Sequence, residues 1–505
     1  MDFMHRRQLF IAASQLAATL AVVLSCCGLA CAFDEIDDAL RANDAEFRDD
    51  LASLAAACRR DGLTDAAKRL TAWYIGRDAD RFVIFDVADT IETSAAAPPA
   101  GDVAPNDWQE KFRSLRSARA AALFELANKA AEAKRRSQAY ALLWETLREN
   151  PDHAEARRML GFEQVDDRWA TPFAAKHFRT GRVWHKQFGW IAKEDVERYE
   201  NGERRAGSRW ISAEQDARRH RDIRNGWRVE TEHFVVTTNH SLAEGVRLAD
   251  ELERLHRAWR QVFVDYWMAD GEFERMFASE KKAAASTFVA PPERKNRHRV
   301  VCYRNRDEYV RALQSSQPRV EMSLGVYLDN GRAAYFFAGE DQHPATVLHE
   351  AAHQLFKESK ATVKQPGGRH GMWLVEAAAC YMESLRRHEN AGFGGYDTLG
   401  EREAGRFVAA REKIAEQFYI PLAELAAMSS DDLQRHRDIA KIYSQSAGVM
   451  TFLLHAEDGR YRVPTMVTLD ALYTGRAVPG TLAAACDAQY EVLDAAYVEF
   501  IKAMR

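Results

Sequence analysis

Two histidines four positions apart, with a glutamate directly after the first, are the residues of this chain best suited to chemistry. They are His349, Glu350 and His353, in a segment that reads H-E-A-A-H. On a helix, residues four apart share one face, so both imidazoles can reach one metal ion. Glu350 would then lie beside a metal-coordinated water, where a carboxylate serves as general base. The spacing therefore predicts metal-assisted hydrolysis.

The surrounding residues predict the helix that this motif needs. Pro344 suits the first turn of a helix, where its missing N–H costs nothing. Apolar residues recur at helical spacing through the motif, at Val347, Leu348, Ala351, Ala352, Leu355 and Phe356. The alternative interpretation is an amphipathic helix with two surface histidines and no metal. A five-residue pattern alone does not decide between the two, so the third ligand becomes the critical residue.

A catalytic zinc site needs three protein ligands and an open position for water. One subclass of zinc hydrolase places a third histidine six residues after the motif, but that residue here is Ser359. Further along, the apolar, helix-favouring segment 373–383 carries Glu376 near its start. The glycine-rich segment 366–371 supplies a turn before it. We therefore expect a second helix that packs on the first and brings Glu376 to the metal.

The motif, followed by W-L-V-E at 373–376, resembles the gluzincin zinc metallopeptidases. In that family the later glutamate is the third zinc ligand. The resemblance therefore implies Zn2+ as the cofactor, held by His349, His353 and Glu376. It also implies an α+β fold with a thermolysin-like zinc peptidase core, in which active-site helices pack on a mixed sheet.

The region from about Arg228 to the end is also similar to a bacterial family of peptidase-MA-like proteins. The segments that carry this similarity read E-H-F-V at 232–235, V-V-C-Y-R at 300–304 and T-V-L-H-E-A-A-H-Q-L at 346–355. Members of the family have a Y-x-Q-S segment like that at 443–446, which we expect to open a helix. A zinc-facing Tyr443 would donate a hydrogen bond to the tetrahedral oxyanion. The alternative is a buried tyrosine beside a capping serine.

Two further expectations follow from the resemblance. The strand before the motif helix commonly lies at the sheet edge, which would make Ala333–Ala338 the substrate-binding edge. Thermolysin-like enzymes have an aspartate four residues after the ligand glutamate, where it orients one zinc histidine. Here that residue is Cys380, so the acceptor has to be a backbone carbonyl or another acid, of which Glu383 is a candidate.

Length and charge narrow the class of protein. The chain has 505 residues, enough for two or three domains, and a formal net charge of −5, which argues against a nucleic-acid partner. Its arginines alternate with acids on predicted helices, which predicts solvated helix faces.

Residues 1–32 resemble a signal peptide, with Arg6 and Arg7 before an apolar run that is too short for a confident membrane span. We therefore expect export to the periplasm, cell envelope or exterior, with lipidation of Cys26 as a variant.

The rest of the chain is predicted to form three further regions. Residues 33–160 are expected to be α-helical and partly tetratricopeptide-like, with a linker near 90–106. Residues 161–227 are expected to form small β-rich modules whose tryptophans are core. Residues 228–505 are expected to form the metallopeptidase domain, with strands at 234–238, 299–303, 325–328 and 333–337 and an amphipathic helix at 242–263. The N-terminal helices either bind a protein partner or pack only on their neighbours.

The predicted function is that of a zinc-dependent hydrolase, most directly a peptidase that cleaves a peptide or protein substrate with Glu350 as the general base. One alternative is a catalytically inactive, zinc-containing envelope scaffold or protein-binding protein. The presence of Glu350 speaks against it, because catalysis needs this residue and zinc binding does not. Another alternative is a hydrolase of a non-peptide amide, which the same zinc chemistry would serve.

Overall fold

A computed structural model describes residues 35–77, 80–87, 107–278, 297–389 and 395–503, which form a mixed α+β protein. The predicted signal peptide, Cys26 and the predicted linker lie outside these described residues. Among the described residues, no helix is both long and apolar enough to cross a membrane.

The chain divides into two compact units. A helical unit comprises Met1–Gly76 and Ala96–Ala156, and a sheet unit comprises Arg77–Ala95 and Arg157–Arg505. The predicted β-rich modules at 161–227 therefore belong to the same unit as the motif helix.

The described elements of the helical unit are helices. They are α1 (35–60), α2 (Thr64–Trp73), α3 (Asp107–Glu132) and α4 (Arg136–Glu149), and α5 (Ala154–Met159) spans the boundary between the units. The apolar face of α4 is fully buried at Ala139, Leu143 and Leu147. Such a face needs a neighbour to cover it, and α3 packs along α4.

Several charges of this unit are buried, which corrects the expectation of solvated helix faces. Arg119 donates from Nη2 to Asp44 at 2.8 Å and to Glu145 at 2.9 Å, and its side chain is 4% exposed. Arg116 donates to Glu149 at 3.2 Å. A buried charge is tolerated where a partner compensates its lost hydration, so residue type alone did not predict its burial.

Three two-stranded hairpins form the region 163–219, as predicted. They are β2–β3 (Glu163–Val165, Arg168–Ala170), β4–β5 (Arg182–His185, Gly189–Ala192) and β6–β7 (Glu203–Ala206, Arg209–Ser212). The helices that follow them are α6 (Pro172–Arg179), α7 (Val196–Glu200) and α8 (Ala213–Arg219). Trp190 is half-buried and packs against Phe173, Phe178 and Trp184, so it covers the small core of these modules without being fully buried in it.

A five-stranded sheet is the platform for the motif helix. Its strands are β8 (Trp227–Glu230), β9 (Phe234–Thr238), β10 (His298–Tyr303), β11 (Val326–Leu328) and β12 (Ala333–Phe337), in the order β11-β12-β10-β9-β8. The three central strands run parallel, and both outer strands are antiparallel to their neighbours. The sequence predicted all of these strands except β8. The helix α9 (Leu242–Val262), also predicted, connects β9 to the segment before β10.

The expected substrate-binding edge is wrong. Strand β12 pairs with β10 on one side and with β11 on the other, so Ala333–Phe337 is internal to the sheet. The chain turns back between Leu328 and Ala333, which places the short strand β11 outside β12. The edge strand nearest the motif helix is therefore β11.

Residues 80–87 were expected to be helical, as part of the region 33–160, yet they include a strand of the sheet unit. This strand, β1 (Phe82–Phe85), pairs antiparallel with β14 (Tyr396–Leu399), which in turn pairs with β13 (Arg386–His388). The residues of β1 read F-V-I-F, and β-branched and aromatic side chains favour a strand once a partner strand is available.

The remaining helices, among them the motif helix α13, belong to the sheet unit. They are α10 (Val264–Trp267), α11 (Asp270–Met276), α12 (Arg306–Leu313), α13 (Pro344–Glu358), α14 (Met372–Met382), α15 (Phe407–Ala415), α16 (Leu422–Ala427), α17 (Ser430–Arg435), α18 (Ile439–His455), α19 (Arg462–Tyr473), α20 (Thr481–Ala485) and α21 (Tyr490–Ala503). Short 3-10 turns lie at Lys193–Asp195, Ile223–Asn225, Val320–Met322 and Ala456–Gly459.

Candidate metal centre

Helix α13 carries the H-E-A-A-H motif, as predicted. His343 caps its N-terminus by accepting a hydrogen bond from the backbone N–H of Ala345 at 3.2 Å, and Pro344 occupies the first turn. The apolar side of α13 is buried at Val347, Leu348, Ala351, Ala352, Leu355 and Phe356. Burial of that side leaves the motif residues on the half-buried opposite side.

Helix α14 brings in Glu376. It begins after Gly371, whose φ of 75° is favourable only for glycine and where a Cβ would lie 2.8 Å from Leu472. Every residue from Trp373 to Met382 is buried, and Glu376 is 5% exposed. A carboxylate at such a position requires compensating partners.

The three predicted ligands converge on one point. His349 Nε2 and His353 Nε2 lie 3.1 Å apart, and Glu376 Oε2 lies 3.3 Å from the first and 3.4 Å from the second. Metal bonds of about 2.0–2.2 Å in a tetrahedral zinc site place ligand atoms roughly 3.3–3.6 Å apart. The two imidazole planes are 80° apart, so their in-plane lone pairs can meet at one ion. This donor set fits Zn2+.

The electrostatics of Glu376 favour its charged form. Burial by itself raises the pKa of a carboxyl, but the adjacent imidazoles of His353 and His349 outweigh this effect and hold the pKa of Glu376 well below its usual range. Glu376 is therefore an anionic donor, as metal binding requires.

A second carboxylate orients His349 from behind. His349 Nδ1 lies 2.9 Å from Glu383 Oε1. Arg406 Nε in turn donates to both oxygens of Glu383 at 3.0 Å. A ligating imidazole is commonly held in this way by an acceptor on its other nitrogen. Glu383 thus occupies the position that the sequence left open, while Cys380 Sγ lies 3.9 Å from the same nitrogen and is buried.

Glu350 lies at the rim of the site, where it contacts the edge strand. The backbone N–H of Tyr327 in β11 donates to Glu350 Oε2 at 2.9 Å. This bond occupies one carboxylate oxygen of Glu350. The other oxygen has no protein partner among the hydrogen bonds of the described residues, so it can accept a hydrogen bond from a water.

Tyr443 lies within α18, one turn after the helix begins at Ile439, which corrects the expectation that it opens the helix. Burial, followed by the nearby charge of Glu376, raises the pKa of Tyr443. Gln434 Nε2 donates to the phenol oxygen at 3.1 Å. Since that oxygen accepts a hydrogen bond, the hydroxyl hydrogen remains available for donation.

Another histidine–glutamate group is less suited to a metal. His233, Glu253 and His256 have possible ligand atoms within 4.8 Å of one another. However, the two rings are stacked, with centroids 3.7 Å apart and planes 24° apart. Lone pairs of stacked imidazoles run side by side rather than converging, and His233 Nδ1 already contacts Glu253 at 2.8 Å. This group is explained as an ion pair with a stacked neighbour.

Sequence reasoning missed two residues of the site region. Arg406 lies on the segment before α15, and Tyr327 contributes its backbone N–H, so neither is marked by a motif. Two other histidines of the sheet unit contact partners away from the candidate ligands: His370 Nε2 lies 2.7 Å from the carbonyl oxygen of Ala477, and His388 contacts Thr398 at 2.9 Å.

Comparisons with known proteins add no assignment. No protein-family model matches the chain, and no curated protein matches it. The similarity to gluzincins therefore stays a prediction that rests on the residues of the motif.

Proposed function

We propose that this chain is a zinc-dependent hydrolase of the gluzincin type, with a thermolysin-like core, that cleaves peptide bonds. The observation that carries the proposal is the triangle of His349 Nε2, His353 Nε2 and Glu376 Oε2, with sides of 3.1, 3.3 and 3.4 Å. The adjacent Glu350 adds a residue that catalysis requires and metal binding does not.

His349, His353 and Glu376 would hold the metal. When bound, Zn2+ supplies a Lewis acid that acidifies a coordinated water and polarises the scissile carbonyl. Glu350 accepts the proton of the attacking water and delivers it to the leaving nitrogen. The Tyr327 N–H steadies the carboxylate during both transfers, and the hydroxyl of Tyr443 donates to the oxygen that becomes negatively charged.

Strand β11 is the proposed docking edge for the substrate. It is the outer strand of the sheet on the side of Glu350. Because the Tyr327 N–H is already bonded to Glu350, an extended substrate would pair with the other main-chain groups of this edge. This position suits a peptide, whose backbone offers the matching donors and acceptors. The proposed compartment, outside the cytoplasm, rests on residues 1–32 alone.

The test is the substitution Glu350→Gln, with the exposed Glu340→Gln as a matched control. Glutamine keeps the shape of the side chain but cannot accept a proton, so the variant should retain its zinc and lose turnover of a peptide library. Glu340→Gln should behave as the wild type. Full activity of Glu350→Gln would exclude Glu350 as the base. Cleavage of other amides but no peptides would favour the non-peptide hydrolase.

A further inference from the structure

Tyr327 joins two carboxylates that lie eight residues apart on the motif helix. Its backbone N–H donates to Glu350 Oε2 at 2.9 Å, and its phenol donates to Glu358 Oε1 at 3.1 Å. One residue of the edge strand β11 therefore contacts both the proposed general base and a glutamate at the C-terminal end of α13.

Glu358 is a fixed anchor. It is 8% exposed, and it contacts His298 Nδ1 at 2.9 Å and accepts from Gln354 Nε2 at 3.2 Å. His298 begins the inner strand β10 and is 2% exposed. Gln354 also donates to the carbonyl oxygen of Arg299 in that strand at 3.2 Å. Glu358 thus ties α13 to the interior of the sheet.

The charge states of the two partners suit this bond. Burial raises the pKa of Glu358, but the hydrogen bond and charge of His298 outweigh it and leave the pKa lowered, so Glu358 is an anionic acceptor. Burial and the nearby Glu358 raise the pKa of the Tyr327 phenol, which stays protonated and donates. Hydrogen bonds to an ionised acceptor are stronger than neutral ones.

The backbone of β11 needs such an anchor. The strand has three residues and a single neighbour, β12, so the sheet alone restrains it weakly. Movement of β11 would displace the Tyr327 N–H from the Glu350 carboxylate. The hydrogen bond between the Tyr327 phenol and Glu358 restrains the side chain of the same residue and so limits this movement.

We propose that Tyr327 is a positioning residue for Glu350: the bond between its phenol and Glu358 fixes β11, so that the Tyr327 N–H holds the Glu350 carboxylate in place. The catalytic part of this inference rests on the proposed function, because it treats Glu350 as the general base. The structural part, the coupling between the phenol and the backbone N–H, can be measured without any substrate.

The experiment compares Tyr327→Phe with Tyr335→Phe in the zinc-loaded full-length protein. Tyr335 lies on β12 opposite Val326 and has no hydrogen bond from its hydroxyl among those of the described residues, which makes it a matched control. Amide hydrogen exchange resolved to residue 327, from overlapping peptides that cover residues 324–330, reports on the Tyr327 N–H. Glu350→Ala, which removes the acceptor of that N–H, serves as the positive reference.

Exchange at residue 327 should rise about tenfold in Tyr327→Phe and in Glu350→Ala, and should stay unchanged in Tyr335→Phe. On a cleaved peptide, Tyr327→Phe should lower kcat by about tenfold with KM and zinc content unchanged. A merely structural role would instead lower zinc content or the fraction of folded protein together with kcat.

Equal exchange in the two phenylalanine variants would overturn the proposal, whether or not the protein turns over a peptide. Slow exchange that persists in Glu350→Ala would also overturn it, because the N–H would then have another partner. If exchange behaves as expected but the wild type shows no Glu350-dependent turnover, the positioning of Glu350 stands and the proposed function fails.

Discussion

His349 Nδ1 lies 2.9 Å from Glu383 Oε1, so a carboxylate holds the ring nitrogen that points away from the candidate metal. The contact fixes the tautomer in which Nε2 carries the lone pair for the metal. Arg406 fixes Glu383 from the opposite side. The candidate centre therefore has three candidate ligands, and one of them, His349, is held in place by Glu383 and Arg406.

The first prediction concerns this support. Glu383→Gln should lower zinc affinity by about 10–100-fold, because the variant weakens the acceptor that orients His349. Competition with a chelator measures the affinity. Cys380→Ala is the control, since Cys380 Sγ lies 3.9 Å from the same nitrogen and should leave the affinity nearly unchanged. The opposite ranking of the two variants would assign the orienting role to Cys380.

The second prediction concerns Tyr443. Tyr443→Phe should lower kcat by about 100-fold, which is typical for loss of one oxyanion donor, with little change in zinc content. The reason is that Gln434 donates to the phenol oxygen and leaves its hydrogen for the substrate. Tyr461→Phe is the control, because the hydroxyl of Tyr461 donates to Glu457 instead. Unchanged kcat in Tyr443→Phe would favour the interpretation of Tyr443 as a buried core residue.

The third prediction concerns the pH dependence of stability at His233. Burial lowers the pKa of His233, but Glu253 and Glu232 outweigh this effect and leave it raised above 6.5. Burial raises the pKa of Glu253, but the charge of His233 outweighs it and lowers the pKa to about 2. His233 contributes fully to the free energy of unfolding below about pH 6.5, and this contribution is lost as pH rises through its raised pKa. Glu253 contributes fully above about pH 4.5, and its contribution is lost as pH falls towards 2.

His233→Gln should therefore cost most stability between about pH 4.5 and 6.5, and less at alkaline pH. Urea unfolding at about pH 5.5 and about pH 9 measures the difference. His240→Gln is the control, since His240 is exposed. A cost that is equal at both pH values would show that the pair does not ionise as described.

The convergence of His349, His353 and Glu376 could be predicted because it follows local rules. Helical periodicity places His349 and His353 on one face, and a glycine-rich turn before an apolar segment is enough to predict that α14 returns with Glu376. The same rules predicted Phe234–Thr238 and Ala333–Phe337 as strands. These are features that residue type and spacing determine over short distances.

What the sequence did not predict depends on contacts between distant segments. Strand β1 forms because β14 is available some 300 residues later, and the order of β11 and β12 depends on how a hairpin turns. Glu383 was one candidate acceptor for the ring of His349, but the choice between it and a backbone carbonyl depended on how α14 packs on α13. Arg119 is buried because three acids from other segments surround it.

The most direct test of the account is the zinc content of the purified protein, measured for the wild type beside His353→Ala and Glu376→Ala. The account predicts about one zinc per wild-type chain and loss of that zinc in both variants, because a catalytic site needs all three protein ligands. Wild-type protein that holds no zinc even after reconstitution, or variants that hold as much as the wild type, would contradict it.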